Sequence, residues 1–264
     1  MNKTMISLAL FTALTSGAVF AEESEVIDPS DLTRVYTQAA FFVTSDADIR
    51  VSAMFTGAWT EDIQFAGFVE GNFGNNSAKE QGKDKFGLDY QKSRAQYFQV
   101  HAVDNKFMPR VGLSTDLIHQ SSNAGAMKNL GYQDTTLVSV GGIGLLNPAY
   151  TAGAMVFPNV AYTTGKVLGE SADGYMVNLF VTQHIGDSGA FVQVWPEYFN
   201  VEGDTVEMES KSFNVMFNAP IKSDRTQWLM TKLEYGSTDI TTPDGWTIDG
   251  DVELKAEIGV KWFF

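Results

Sequence analysis

The side chains equipped for acid–base, nucleophilic or metal chemistry are few, and their spacing does not suit it. Cysteine is absent, which excludes thiolate nucleophiles, thiolate metal sites and disulfides. Of three histidines, His101 and His184 fall near short turns, and only His119 lies beside hydroxyls, Ser121 and Ser122, with Asp116 just upstream. A nucleophile and its general base need partners held rigidly from separate elements. One continuous segment does not provide that, so no catalytic residue is assigned and the chain is not expected to be an enzyme. Carboxylates crowd two other segments, Asp244, Asp249 and Asp251 in one and Glu202, Glu207 and Glu209 in the other. They lack the spacing of an EF-hand loop, so solvated acidic loops are expected, with no metal and no cofactor.

The remaining charges alternate with apolar residues. In the C-terminal segment Val252, Leu254, Ala256, Ile258, Val260, Trp262 and Phe264 share one face of an extended chain. Glu253, Lys255, Glu257, Gly259 and Lys261 share the other. Period two is the signature of a strand. It recurs at 33–44, 49–59, 63–74, 94–103, 109–118, 135–146, 149–163, 174–185, 190–200, 207–218, 225–236 and 251–264. These segments run to about ten residues or more, longer than most strands of soluble sheets and long enough to cross a bilayer at a tilt. Every second connection is short, as at 60–62, 104–107, 147–148 and 186–189. The intervening ones, 75–93, 120–134, 166–173 and 237–250, are mostly longer and more polar, with two short exceptions near Ser45 and near Gly203. The layout predicts an all-β chain, a transmembrane antiparallel up-and-down β-barrel of about twelve strands with both termini periplasmic.

The aromatic residues decide which face meets lipid. One apolar face presents Trp59, Tyr150, Trp262 and Phe264 at the short-turn end, and Phe73, Tyr162, Tyr175, Tyr198 and Tyr235 at the long-loop end. Two aromatic levels with aliphatic residues between them suit the two interfaces of a bilayer. A sandwich core has no reason to sort its rings by height. The opposite face then lines a lumen: Arg50, Glu70, Arg110, Asp116, Phe180, Trp195, Glu197, Lys232, Glu234, Glu253, Lys255, Glu257 and Lys261, with Gln99 and His101 in the same register. Arg50 is expected to face Glu70, and Asn178 to face Glu197. Phe180 and Trp195 either fill a narrow barrel or form an apolar strip for a planar solute. Pro158 and Pro196, each inside a strand, are expected to mark bulges. Twelve strands about 4.8 Å apart, tilted about 40°, give a backbone radius of roughly 12 Å and a bore of at most about 10 Å.

Both ends of the chain carry addresses. Lys3, an apolar run and Ala18-Val19-Phe20-Ala21 read as a signal peptide over 1–21, followed by an acidic lead over 22–32 and the barrel over 33–264. The terminal Ile258-Gly259-Val260-Lys261-Trp262-Phe263-Phe264 resembles the last strand of Gram-negative outer-membrane β-barrels. That resemblance implies recognition of the last strand by the barrel assembly machinery, and contact with outer-membrane lipids and lipopolysaccharide. No motif assigns the chain to the twelve-stranded nucleoside or oligogalacturonate porins. A net charge of -14 argues against a nucleic-acid partner, whose phosphates need clustered Lys and Arg. The function expected is a weakly cation-selective outer-membrane channel for passive diffusion of ions and small hydrophilic solutes. The alternative is a non-conducting structural or interaction barrel whose outer loops bind lipopolysaccharide, surface partners or phage.

Deleting Phe264 should lower the amount of folded barrel in cells, read as the heat-modifiable band after fractionation. An unchanged folded yield would remove the role given to the C-terminal signature.

Overall fold

The computed structural model describes residues 36–74, 87–122, 130–248 and 250–264. The expected signal peptide and acidic lead lie outside the described residues, as do parts of two long loops and Asp249. The chain forms β1 (Tyr36–Thr44), β2 (Ile49–Thr60), β3 (Ile63–Gly74), β4 (Asp89–Ala102), β5 (Arg110–Gln120), β6 (Thr135–Leu145) and β7 (Met155–Val167). It continues through β8 (Glu170–His184), β9 (Phe191–Glu202), β10 (Glu207–Pro220), β11 (Gln227–Thr241), the two-residue β12 (Thr247–Ile248) and β13 (Glu253–Phe263). Twelve long strands pair antiparallel with their neighbours around a closed ring, β13 joining β11 to β1, while β12 folds back on the end of β11. Closure leaves no unpaired edge, which hydrocarbon would not tolerate.

The closing seam runs from Gln38↔Phe263 to Thr44↔Glu257. Beyond it the amide of Phe264 donates to the carbonyl of Thr37, 2.9 Å away, so both ends of the described chain lie at the short-turn end. There Asn147 caps a single 3-10 turn, Pro148–Tyr150, by accepting from the amide of Ala149.

Three local readings of the sequence change. The long connection expected at 166–173 is a two-residue turn, Leu168-Gly169, with φ of 53° and 95°. Two left-handed residues match the twist of a hairpin, and glycine takes one at no steric cost. Val167, Leu168 and Ala172 are buried in the interior, so this segment is pulled into the core instead of looping into solvent. Second, β4 starts at Asp89 and points Arg94, Gln96 and Phe98 inward. Gln99 and His101 face outward with Tyr97, the reverse of the expected register. The outward polar groups satisfy one another along the strand, Tyr97 Oη donating to Gln99 Oε1 at 2.9 Å and Gln99 Nε2 lying 2.9 Å from His101 Nε2. Third, neither proline makes a bulge. Asn178↔Glu197 and Val181↔Val194 keep one register across Pro196, as Ile143↔Asn159 and Leu146↔Val156 do across Pro158. The missing N–H groups only interrupt the ladders. The register shifts fall instead at Ala58/Thr60 and Asn72/Phe73.

On the outside, Trp59, Tyr150, Tyr162, Tyr175, Tyr235 and Phe264 are exposed, and Phe73, Tyr198 and Trp262 are half-buried. Tyr150 stacks on Phe107, with centroids 5.2 Å apart, and Tyr175 packs on Tyr198. Inside, Leu137, Met176, Phe199, Val201 and Met208 form an apolar core toward the long-loop end.

Leu179 faces outward mid-strand and Gln193 lines the interior. Leu179→Arg should cost about 2–4 kcal/mol, whereas Gln193→Arg should cost far less in the same urea titration of the folded barrel. Asn178, inward but 2% exposed, does not offer the tolerant control its register suggests, because no room exists there for an arginine.

Candidate functional site

The interior is organised by one guanidinium that crosses it. Arg94, on β4, reaches Glu197 on β9, a strand five places further along the chain. Its Nη1 donates to Glu197 Oε1 at 3.1 Å and its Nη2 to Oε2 at 2.7 Å. The same guanidinium holds Asp116 on β5, Nε donating at 2.8 Å and Nη2 at 2.5 Å to Oδ2. A planar fork with five N–H donors can serve two carboxylates at once, which an ammonium cannot do in this geometry. Gln96 Nε2 donates to the same Asp116 oxygen at 2.9 Å.

A polar chain extends the bridge along the wall. Ser114 Oγ donates to Asn159 Oδ1 at 2.6 Å, Asn159 Nδ2 to Asn178 Oδ1 at 2.9 Å, and Asn178 Nδ2 to Glu197 Oε2 at 2.5 Å. Ser139 and Thr163 hydrogen-bond each other at 2.7 Å, both buried. Phe98 meets Phe180 edge-on across the same space, 5.7 Å between centroids. At the level of the bridge, therefore, the interior between β4 and β9 is filled.

The other wall carries a second ionic group. Arg50 donates to Glu70 Oε2 at 3.0 Å and, through Nε, to Glu257 Oε2 at 2.8 Å, with its guanidinium 3.8 Å from the centre of the Phe42 ring. Lys232 pairs with Glu234 at 2.6 Å and lies 3.9 Å from Glu257. Its ammonium is 5.4 Å from the Trp195 ring centre. Nearer the long loops, Lys255 bridges Asp46 and Glu253 at 3.3 and 3.0 Å. Beside this wall runs a cavity of about 940 Å³, lined by Asp46 and Thr238 toward one end and by Gln38 and Phe263 toward the other.

Of the side chains read as lumenal, Arg50, Glu70, Phe180, Trp195, Glu197, Lys232, Glu234, Glu253, Lys255, Glu257 and Lys261 line this cavity. Asp116 points inward but is buried beneath Arg94 and does not form the cavity surface. Arg110 is a correction: it sits at the short-turn rim, donating to the carbonyls of Asp62 and Glu61 at 3.2 and 3.4 Å. It stands at the first position of β5, where the neighbouring turn offers carbonyls that the lumen does not. Alternation does not assign Arg94 to a side, because β4 is polar on both faces. The usable signal was Asp116, an inward carboxylate without a basic partner in the expected register.

The hydroxyl–imidazole group also has a defined arrangement. Ser122 Oγ donates to Asp134 Oδ1 at 3.0 Å, while His119 Nδ1 lies 2.9 Å from Thr136 Oγ1. Asp116 is on the opposite face of β5. Among the described residues no three His, Asp or Glu side chains are placed to hold a metal ion.

Known structures share this fold. It is similar to an outer-membrane channel from Pseudomonas putida F1, with a TM-score of 0.52, 9% identity, and coverage of 90% of this chain and 100% of the other. It is similar to the KdgM porin at a TM-score of 0.50 and 9% identity, over 87% of this chain and 99% of that one. Outer membrane phospholipase A from Escherichia coli matches at 0.50 and 12% identity, over 91% and 94%. No family model matches the sequence, and no curated protein does. The fold is that of the Gram-negative outer-membrane β-barrels, a scaffold that carries both channels and an enzyme among these three.

Arg94→Met should destabilise the folded barrel by about 3–5 kcal/mol, because two buried carboxylates lose their counter-ion. Adding Asp116→Asn and Glu197→Gln should recover most of that loss in the same urea titration. A triple variant no more stable than the single one would show that Arg94 acts by something other than charge compensation.

Proposed function

We propose that the protein is an outer-membrane channel for passive diffusion of ions and small hydrophilic solutes. The observation that carries this reading is the cavity that extends from the long-loop end to the short-turn end, where charged and polar side chains such as Arg50, Glu70, Lys232 and Glu257 share the lining with apolar ones. At the level of the bridge from Arg94 the path follows the wall of β9, β10, β11, β13, β1, β2 and β3, while away from that level the cavity also meets β5 to β8 through Ile118, Leu137, Phe157 and Phe180. Its charges are nearly all engaged in pairs. Paired ions leave a weak residual field, which supports a mild preference for cations rather than a strong filter. The fold supports residence in the outer membrane. With twelve strands and both ends at the short turns, that end faces the periplasm and the longer loops meet lipopolysaccharide.

Purified protein in a planar bilayer should give discrete current steps. Under a salt gradient its reversal potential should lie slightly on the cation side, and Glu234→Gln with Glu253→Gln should move it toward anions. Protein that inserts and folds yet gives no steps above background would overturn the channel reading and leave the closed barrel with interacting loops in its place.

A further inference from the structure

Lys261 is a buried cavity-lining lysine to which the structure gives a neutral partner, Asn218, and no carboxylate within ion-pair distance. It is 5% exposed. Its ammonium lies 3.4 Å from Asn218 Oδ1 and 5.0 to 5.5 Å from the ring centres of Phe263, Trp228 and Phe191. The ionic layer is out of reach: Glu257 is four residues away along β13, about 13 Å in an extended strand, and already holds Arg50. Between the two levels Phe42 and Met230, both opposite Gly259, form the centre of an apolar cluster with Ala40 and Met216.

Ring faces attract a cation but offset only part of the loss of its hydration. The adjoining amide is also incomplete. Asn218, fully buried, has its Nδ2 without a hydrogen-bond partner, and so does the Oε1 of Gln38 at the same end of the cavity. Buried polar groups in folded chains are ordinarily paired. An ammonium that touches an amide, with the amide N–H₂ still unpartnered, offers two sets of donors complementary to the two oxygens of one carboxylate. The flanking rings offer flat apolar surface to whatever carries that carboxylate.

We propose that Lys261 and Asn218 form a binding site at the short-turn end of the cavity for small organic carboxylates with a planar or apolar body. One carboxylate oxygen accepts from Lys261 Nζ and the other from Asn218 Nδ2, while the body rests against Phe191 and Phe263, which line the cavity. The site goes beyond the diffusion reading and does not require the barrel to conduct.

Calorimetric titration of the full folded chain in detergent micelles tests it, with benzoate as probe and benzyl alcohol as the neutral control. Wild type should bind benzoate at least tenfold more tightly than benzyl alcohol. Lys261→Met should weaken benzoate at least tenfold and leave benzyl alcohol unchanged. Asn218→Ala should weaken benzoate severalfold, and serves as the deciding variant if Lys261→Met loses its heat-modifiable migration. Equal affinity for the two probes, unchanged benzoate binding in the folded variants, or no benzoate binding by folded wild type would each overturn the site. Because the readout is binding in micelles, its failure is distinct from an absence of conductance in bilayers.

Discussion

The interior depends on the reach of Arg94 across the barrel to Glu197. A ring of twelve strands encloses more space than a single layer of inward side chains fills, and that space must hold water, protein or both. Here one guanidinium ties walls that are far apart around the ring and neutralises Asp116 on the way. The consequence is an interior divided at that level. On one side a run of Ser, Asn and Glu side chains is bonded from strand to strand. On the other a cavity follows a wall of paired charges. Breaking the bridge exposes two buried carboxylates at once, so the division is self-reinforcing.

The outer face answers to a different constraint. Hydrocarbon leaves no solvent for unpaired backbone groups, so the sheet must close. The β1–β13 seam accomplishes this, and the amide of Phe264 adds a bond past the last paired residue. The outward polar run Tyr97, Gln99 and His101 persists because its members bond one another. The same logic accounts for the two strand prolines. Each forfeits one N–H, and the register on either side holds because the flanking pairs fix it.

The barrel was legible in the sequence because its alternation is strong wherever one face is aliphatic, as in β13 and β8. Strand number, the order of short and long connections, and the outward aromatics followed from that pattern. It failed where the pattern is weak. In β4 both faces are polar, so Gln99 and His101 were placed on the wrong side and Arg94 was not assigned. At 166–173 polar residues conceal the buried Val167, Leu168 and Ala172, and a tight hairpin read as a loop. Within the site, Asn178 opposite Glu197 was visible from neighbouring strands, whereas Arg50 stands opposite Asn72 and reaches Glu70 diagonally, one pair off the expected facing. The bond from Arg94 to Glu197 was not visible, since contacts across a lumen leave no period in the chain.

The absence of cysteine makes the divided interior directly measurable. Ser52→Cys and Ser212→Cys place a thiol beside the cavity, Ser212 directly opposite Glu197 on the adjoining strand. Ser139→Cys places one at the same level behind the bridge, where the native side chain is 1% exposed. Folded barrels carrying each thiol can be treated with a charged, membrane-impermeant thiosulfonate reagent and the modification followed by mass. The division predicts rapid labelling at positions 52 and 212 and protection at 139 until the barrel is unfolded. Equal labelling at all three would contradict it.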